Sequence, residues 1–299
     1  MTPAGRFAPS PSGELHVGNL RTAMLAWLFA RSTGRDFLLR VEDLDRARAG
    51  AEAEQLRDLA AIGVTWDGAV VRQTARGEVY NDAIRRLTEL GRTYECFCTR
   101  REIQEAPSAP HAPQGAYPGT CRNLDPAELE FKRSMRPAAL RLRSAVTEYT
   151  VNDVLQGEFT GVVDDFVLRR NDGVTAYNLA VVVDDAAQGV DQVVRGDDLL
   201  PSTPRQAYLG SLLHIPIPEY AHVPLVVNSD GARLAKRDGA VTLGDLARAG
   251  VPVEDVRDNL LQSLGLPAGT LDQALAAFRP DSLPRDAWVW PDSGPGSLS

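Results

Sequence analysis

No stretch of this 299-residue chain is apolar for long enough to span a bilayer, and Arg6 and several prolines stand where a secretory leader needs continuous apolar residues. Membrane and secreted classes lose support, and a cytoplasmic protein is expected. Cysteine is scarce: there are three, an odd number that supplies no disulfide framework. There is no Gly-x-x-x-x-Gly-Lys-Ser/Thr loop and no Gly-x-Gly-x-x-Gly after a strand, which weakens kinase, ATPase and dinucleotide-enzyme readings. Internal repeats are absent. Positive charge is in deficit, with a formal net charge of −8. The chain is therefore no general polyanion binder, and any RNA contact must use a local basic surface against an unfavourable global field.

What is present reads as a globular protein of about two domains, 43% hydrophobic and 24% charged. A short strand near Arg6 leads into a helix marked by Leu20, Met24, Trp27 and Leu28 at spacings of three and four, with Gly34 just past its end. The strand Phe37 to Glu42 follows. Next come a helix with Leu56, Leu59 and Ile62 on one face and another with Tyr80, Ile84, Leu87 and Leu90 in register, stopped at Gly91. This is a doubly wound α/β opening. Between Thr93 and Gly173 the pattern changes to short β runs and proline-rich loops, read as an insertion. Asn171-Asp172-Gly173 signals a hairpin, and βα alternation returns from Val174. Thr242 with Asp245 resembles a capping box, and Val253, Val256, Leu260, Leu261 and Leu264 form an apolar face closed by Gly265. The expected division is 1–92 and 174–241 as the two halves of a Rossmann-type parallel-sheet domain, 93–173 as an inserted α+β subdomain, and 242–299 as a helical C-terminal region that frays from Trp288 onward.

Three features carry chemistry. In Arg6-Phe-Ala-Pro-Ser-Pro-Ser-Gly-Glu-Leu-His16-Val-Gly-Asn19, Pro9 and Pro11 stiffen a loop that delivers His16 and Asn19 to the first turn of a helix. Gly13 and Gly18 permit close backbone approach, so a phosphate is expected against unpaired N–H groups and a positive helix end. All three cysteines, Cys96, Cys98 and Cys121, fall in one window, which favours one structural zinc because thiolates are soft ligands and such sites take four. By residue type alone His111 is the better fourth ligand, while Tyr117 stands four residues before Cys121. The third feature, Gly231-Ala-Arg233-Leu-Ala-Lys236-Arg237-Asp-Gly239, puts a cation on a glycine-flanked loop; read alone it is a basic surface turn.

The loop ending at Asn19 resembles the ATP-binding His-Ile-Gly-His signature of class I aminoacyl-tRNA synthetases, in the Arg-Phe-Ala-Pro-Ser-Pro form of the glutamyl group. Phe37-Leu-Leu-Arg-Val-Glu-Asp-Leu-Asp45 resembles the family's second strand. Tyr177-Asn-Leu-Ala-Val-Val-Val-Asp-Asp185 and Val194-Arg195-Gly196-Asp197-Asp198 resemble its amino-acid pocket. The Lys236 run is similar to a degenerate Lys-Met-Ser-Lys-Ser loop, with Lys236 at the second lysine. Three departures are visible: Asn19 replaces the second histidine and cannot become cationic, Ala235 lacks the serine hydroxyl, and Arg233 replaces the first lysine. Cys-x-Cys with a later Tyr-x-x-x-Cys resembles truncated glutamyl paralogues that act on queuosine in tRNA(Asp), which selects Tyr117 as the fourth zinc ligand.

The resemblance implies ATP contacts from His16, Gly18, Asn19 and Lys236, with His16, Asn19 and Lys236 catalytic. It implies a glutamate pocket in which Arg6, Arg195 and Tyr177 meet the side-chain carboxylate, Ser10 and Glu42 hold the α-amino end, and Phe7, Ala8 and Pro9 complete the wall. The implied reaction is activation of L-glutamate with Mg-ATP, followed by transfer to queuosine in the anticodon stem-loop of tRNA(Asp), by a monomer. Only a short helical tail follows the Lys236 loop, where a full glutamyl enzyme continues into anticodon-binding domains. A stand-alone glutamyl-tRNA synthetase charging a 3′ end, and a non-catalytic tRNA- or amino-acid-binding paralogue, are the alternatives.

Overall fold

Among the described residues the strands form a seven-stranded sheet, a three-stranded sheet and a two-stranded pair. The computed structural model describes residues 2–45, 47–105, 116–232, 234 and 241–291. In order, the elements are β1 (Ala4–Phe7), α1 (Val17–Ser32), β2 (Asp36–Val41), α2 (Ala51–Ala61), β3 (Val71–Arg72), α3 (Gly77–Glu89), β4 (Thr93–Cys96), α4 (Arg100–Glu105) and α5 (Pro126–Met135). There follow β5 (Ala139–Leu142), β6 (Glu148–Asp153), β7 (Gly157–Val162), β8 (Val167–Arg169), α6 (Tyr177–Gln188), β9 (Val190–Gly196), α7 (Thr203–Leu212), β10 (Glu219–Val223) and β11 (Val226–Val227). The last are α8 (Leu243–Arg248), α9 (Val253–Gln262), α10 (Leu271–Ala277) and β12 (Trp288–Val289). Among the described residues no helix is long and apolar enough to cross a membrane.

The main sheet has the order β3-β2-β1-β9-β10-β6-β7, parallel except for the β6–β7 hairpin at one edge. Strand order reverses between β1 and β9, the switch point at which open α/β sheets leave a crevice beyond the strand C-termini. Helix α1 covers this centre. Its apolar positions Leu20, Met24, Leu25 and Leu28 are fully buried, as the three- and four-residue spacing requires. A separate antiparallel sheet, β4-β5-β8, lies beyond.

The stretch 93–173, expected as one insertion, is divided between the two sheets. Its strands β6 and β7 join the Rossmann sheet, and only β4, β5 and β8 form the smaller layer. The reason is pairing: Tyr220 of β10 takes Asp153 of β6 as its parallel neighbour, a long-range choice that no local pattern announces. The C-terminal region also joins the main core. Val256, Leu260, Leu261, Leu271, Ala274 and Phe278 pack in the same cluster as α1, and Phe278 meets Phe29 edge-to-face at 5.2 Å. Trp288 to Trp290, expected to fray, are docked instead. Strand β12 pairs with β11, Trp290 N–H donates to Val227 O at 2.9 Å, and the buried Arg21 guanidinium lies 5.9 Å from the Trp288 ring. Burial lowers the pKa of Arg21 to about 10.

Because α10 shares the α1 core, Phe278→Ala is expected to cost about 3–5 kcal/mol of whole-domain stability, the range for removing a buried aromatic ring. Urea denaturation followed by far-UV dichroism checks this. A separate low-denaturant phase, with the rest of the transition unmoved, would contradict the shared core.

Candidate active site and metal centre

A cavity of about 510 Å³ opens beyond the C-terminal ends of β1 and β9. The loop between β1 and α1 forms one wall, and its shape is fixed from outside. Gln55 of α2 donates to Ser10 O and Gly13 O at 2.9 and 2.6 Å, while Glu42 N–H donates to Pro9 O at 2.9 Å. Arg6, Phe7, Ala8, Pro9, Ser10, His16, Gly18, Asn19, Glu42, Tyr177 and Arg195 all line this one cavity. Lys236, Arg233, Ala235 and His111 lie outside the described residues. The neighbours on either side of the lysine loop stand at the site: Leu234 lines the cavity, and Val241 O accepts from Val17 N–H at the start of α1.

The helix N-terminus differs from its expected form. His16 is the N-cap, and its Nδ1 accepts from Gly18 N–H at 3.1 Å and Asn19 N–H at 3.3 Å. Asn19 Oδ1 accepts from His16 N–H at 3.3 Å, closing a reciprocal capping box. The first-turn N–H groups are therefore already partnered, because a histidine at this position reaches back over its own helix. The consequence is chemical. With Nδ1 accepting, the neutral ring carries its proton on Nε2, and Asn19 keeps its amino group as a donor, so side chains rather than backbone N–H groups face an anion.

Arg6 is also held by a protein carboxylate. Its Nε and Nη2 donate to the two oxygens of Asp185 at 3.2 and 3.3 Å, a fork that leaves Nη1. Asp185 also takes Nη1 of Arg40 at 2.7 Å. Arg40 is fully buried on β2, 3.5 Å from Glu42 and 3.8 Å from Asp184. Asp184 accepts in turn from Gln73 at 2.9 Å, from the Tyr80 hydroxyl at 2.8 Å and from Arg76. Three guanidinium groups, Arg6, Arg40 and Arg76, thus balance Asp184, Asp185 and Glu42. The Glu42 carboxyl is pushed above the usual carboxylate range by burial, against the pull of Arg40 and Arg6. Asp185, equally buried, is held below that range by the same two cations.

Arg195 reaches the cavity from β9. Its Nε donates to His222 Nε2 at 3.0 Å and its Nη2 to Thr203 Oγ1 at 2.8 Å, while buried Nη1 has no protein partner. Behind it, His222 Nδ1 meets Asp153 Oδ2 at 2.6 Å. Sequence reasoning missed Asp185, Arg40, Asp153, His222 and Thr203. Asp185 and Arg40 lie in runs already singled out; the others carry no local signal.

The cysteines converge where β4 ends. Cys96, Cys98 and Cys121 place their Sγ atoms within 4.8 Å of one another. The Tyr117 hydroxyl completes the group, 3.3 Å from Cys96 Sγ and 3.6 Å from Cys98 Sγ, with Cys98 and Cys121 3.5 Å apart. A tetrahedral zinc with Zn–S bonds near 2.3 Å separates its sulfurs by about 3.8 Å, so the donor set fits in both spacing and softness. Arg141 lies over the Tyr117 ring at 3.6 Å, a cation placed to offset thiolate and phenolate charge. Hydrogen bonding from Cys121, with Tyr117 and Arg141 behind it, draws the Cys96 thiol toward thiolate.

The chain as a whole is similar to known proteins. The family model for class I tRNA synthetases (E and Q), catalytic domain, matches residues 4–276. A relative in Nocardia farcinica named glutamyl-Q tRNA(Asp) synthetase is 65% identical over 97% of this chain and 94% of its own length. Another of that name in Cutibacterium acnes is 53% identical over 88% of this chain and 76% of its own. A crystal structure of glutamate-tRNA synthetase from Elizabethkingia anophelis superposes with a TM-score of 0.83 at 26% identity, covering 98% of this chain and 68% of that one. A second, of a glutamate tRNA ligase from Elizabethkingia meningosepticum in complex with its amino acid, gives 0.82 at 26% identity over 97% and 67%. The chain belongs to the class I tRNA synthetases of the glutamyl and glutaminyl group, ligase enzymes, within the branch of glutamyl-Q tRNA(Asp) synthetases.

Proposed function

We propose that the chain activates L-glutamate with Mg-ATP to glutamyl-adenylate without tRNA, then transfers the glutamyl group to queuosine in the anticodon of tRNA(Asp). The observation that carries this reading is the single cavity joining the His16 loop to Arg6, Glu42, Tyr177 and Arg195. In the first step an α-carboxylate oxygen of glutamate attacks the α-phosphorus of ATP, the bond to the bridging oxygen breaks, and pyrophosphate leaves. In the second a queuosine hydroxyl attacks the activated carbonyl, and AMP leaves as the proton passes to solvent. No protein nucleophile is needed; positioning and charge stabilisation do the catalysis. His16 donates from Nε2 to phosphate, Asn19 from its amide, and Lys236, two residues beyond Leu234 in the chain, meets the leaving pyrophosphate. Arg195 and the remaining Arg6 nitrogen take the substrate's side-chain carboxylate, with Tyr177 beside them, and Glu42 with Ser10 takes the ammonium group.

The acceptor half of the reading is supported by the relatives' name, glutamyl-Q tRNA(Asp) synthetase. The likeness to glutamate-tRNA synthetase structures supports a second reading, a stand-alone enzyme that charges a tRNA 3′ end with the same catalytic groups. The sulfur–phenol cluster is read as a zinc site of Cys96, Cys98, Cys121 and Tyr117. Bound there, zinc would fix the β4 end against the turn carrying Tyr117 and Cys121.

Glutamate-dependent ATP–pyrophosphate exchange is expected in the absence of tRNA, with transfer to queuosine-containing tRNA(Asp) and none to the same tRNA lacking queuosine. Nuclease mapping that puts labelled glutamate on a 3′-terminal fragment would promote the second reading; absent exchange would indicate a binding paralogue. His16→Ala and Lys236→Ala should each slow exchange by about 10²-fold or more, the scale of one preorganised donor. Glutamine should be rejected by about 10²-fold or more, because its amide leaves buried charge unpaired.

Metal analysis is expected to find one zinc per chain. Tyr117→Phe should weaken its retention against a chelator, whereas His111→Ala should not. The reverse pattern would make the histidine the ligand.

A further inference from the structure

Three neighbouring parallel strands, β9, β10 and β6, place Arg195, His222 and Asp153 side by side at their C-terminal ends, with His222 and Arg195 paired in register. Both His222 and Asp153 are excluded from solvent. Thr203 Oγ1 lies 3.1 Å from His222 Nε2, so Thr203, His222 and Asp153 have the outline of a nucleophile–base–acid triad. The donors rule that out. A guanidinium can only donate, so His222 Nε2 and Thr203 Oγ1 both act as acceptors for Arg195. The imidazole proton must then sit on Nδ1, held by Asp153, and Thr203 is wholly buried. The array ends in a cation, and its unfinished part is Arg195 Nη1, a buried donor without a partner on a residue that lines the cavity. A buried unsatisfied N–H of this kind is costly, so its retention points to a ligand oxygen.

We propose that Asp153 and His222 are positioning residues for amino-acid recognition, holding Arg195 in the one orientation that offers its guanidinium edge to the side-chain carboxylate of glutamate. This rests on the reading of the cavity as a glutamate site. Asp153 fixes the Nδ1–H tautomer of His222, the Nε2 lone pair fixes Arg195 Nε, and Thr203 fixes Nη2. Neutral His222 is essential to the device. Protonation would replace the acceptor with a second cation 3.0 Å from Arg195. The groups facing the ring are Asp153 from β6, Arg195 from β9, Asp197 just beyond β9, Thr203 from α7 and the stacked Tyr220 ring at 6.0 Å. Burial, seconded by Arg195, lowers the imidazole below its ordinary value of 6.5, against the pull of Asp153. A lowered histidine favours the fold at high pH: the unfolded ring takes the proton first, so stability is lost as pH falls below 6.5. Glutamate affinity follows the same direction through the acceptor.

The test is ATP–pyrophosphate exchange with the full chain, measuring KM for glutamate, KM for ATP and kcat from about pH 5 to 8, the span in which histidine titrates. His222→Leu, which removes the acceptor, should raise KM for glutamate by about 10- to 100-fold, the scale of one hydrogen bond to a charged group, with KM for ATP and kcat moved far less. His222→Gln places a non-titrating carboxamide oxygen near the Nε2 position. It should recover most of the lost affinity and flatten the acid limb of the wild-type profile. Equal KM values in His222→Leu and His222→Gln, an unchanged acid limb in His222→Gln, or kcat and both KM values altered together would overturn the proposal. Arg195→Ala separates the two levels. If it too leaves KM for glutamate unmoved, the glutamate reading of the cavity fails; if it raises KM while His222→Leu does not, only the positioning role fails.

Discussion

Asp185 holds two guanidinium groups at once, Arg6 through a fork at 3.2 and 3.3 Å and Arg40 at 2.7 Å. Charge removed from water at such a depth is tolerated only when it is paired and hydrogen-bonded. The pairing ties β1, β2 and α6 together directly beneath the cavity. It also sets what the cavity can recognise. Arg6 and Arg40 are largely neutralised from behind, while Arg195 on the neighbouring strand is held by neutral acceptors, His222 and Thr203, and keeps its full charge. Among the described residues, a carboxylate entering the site therefore meets one uncompensated cation and a second with a single nitrogen to give. An acidic side chain answers that cation with opposite charge, whereas its amide would not.

The His16 side of the cavity follows a comparable logic. A helix start that opened its own N–H groups to an anion would be general, accepting any oxyanion of the right size. Here the His16–Asn19 capping box satisfies those groups internally, and what His16 and Asn19 bring to the cavity are side-chain donors whose tautomer and orientation the box has fixed. Asn19 fits this arrangement without strain on its chemistry, since its amide oxygen closes the box and its amino group remains a donor. The departure from the family's second histidine is thus a change in how donors are set, compatible with an ATP site.

Much of this was legible in the chain because it is local. The apolar spacing of α1, the stop at Gly34, the Thr242–Asp245 box and the clustering of Cys96, Cys98 and Cys121 are properties of a few consecutive turns, and each is present in the fold. What escaped is non-local. Arg6 and Asp185 are 179 residues apart, and His222 and Asp153 are 69 apart; their meeting is decided by parallel strand order, which no periodicity encodes. The same cause moved β6 and β7 out of the expected insertion and into the main sheet. Trp288 and Trp290 were lost to composition, since a tail rich in Pro, Gly and Ser hid two indoles that dock against Arg21 and β11.

The central claim is that Arg195, oriented by neutral partners, is the group that receives the substrate carboxylate. A crystal structure of the chain with glutamate and a non-hydrolysable ATP analogue tests it directly. The account predicts a side-chain carboxylate oxygen about 2.7–3.2 Å from the Arg195 guanidinium, with the His222 and Thr203 contacts retained. A glutamate whose side chain points away from Arg195, or an Arg195 that leaves His222 to reach it, would contradict the account.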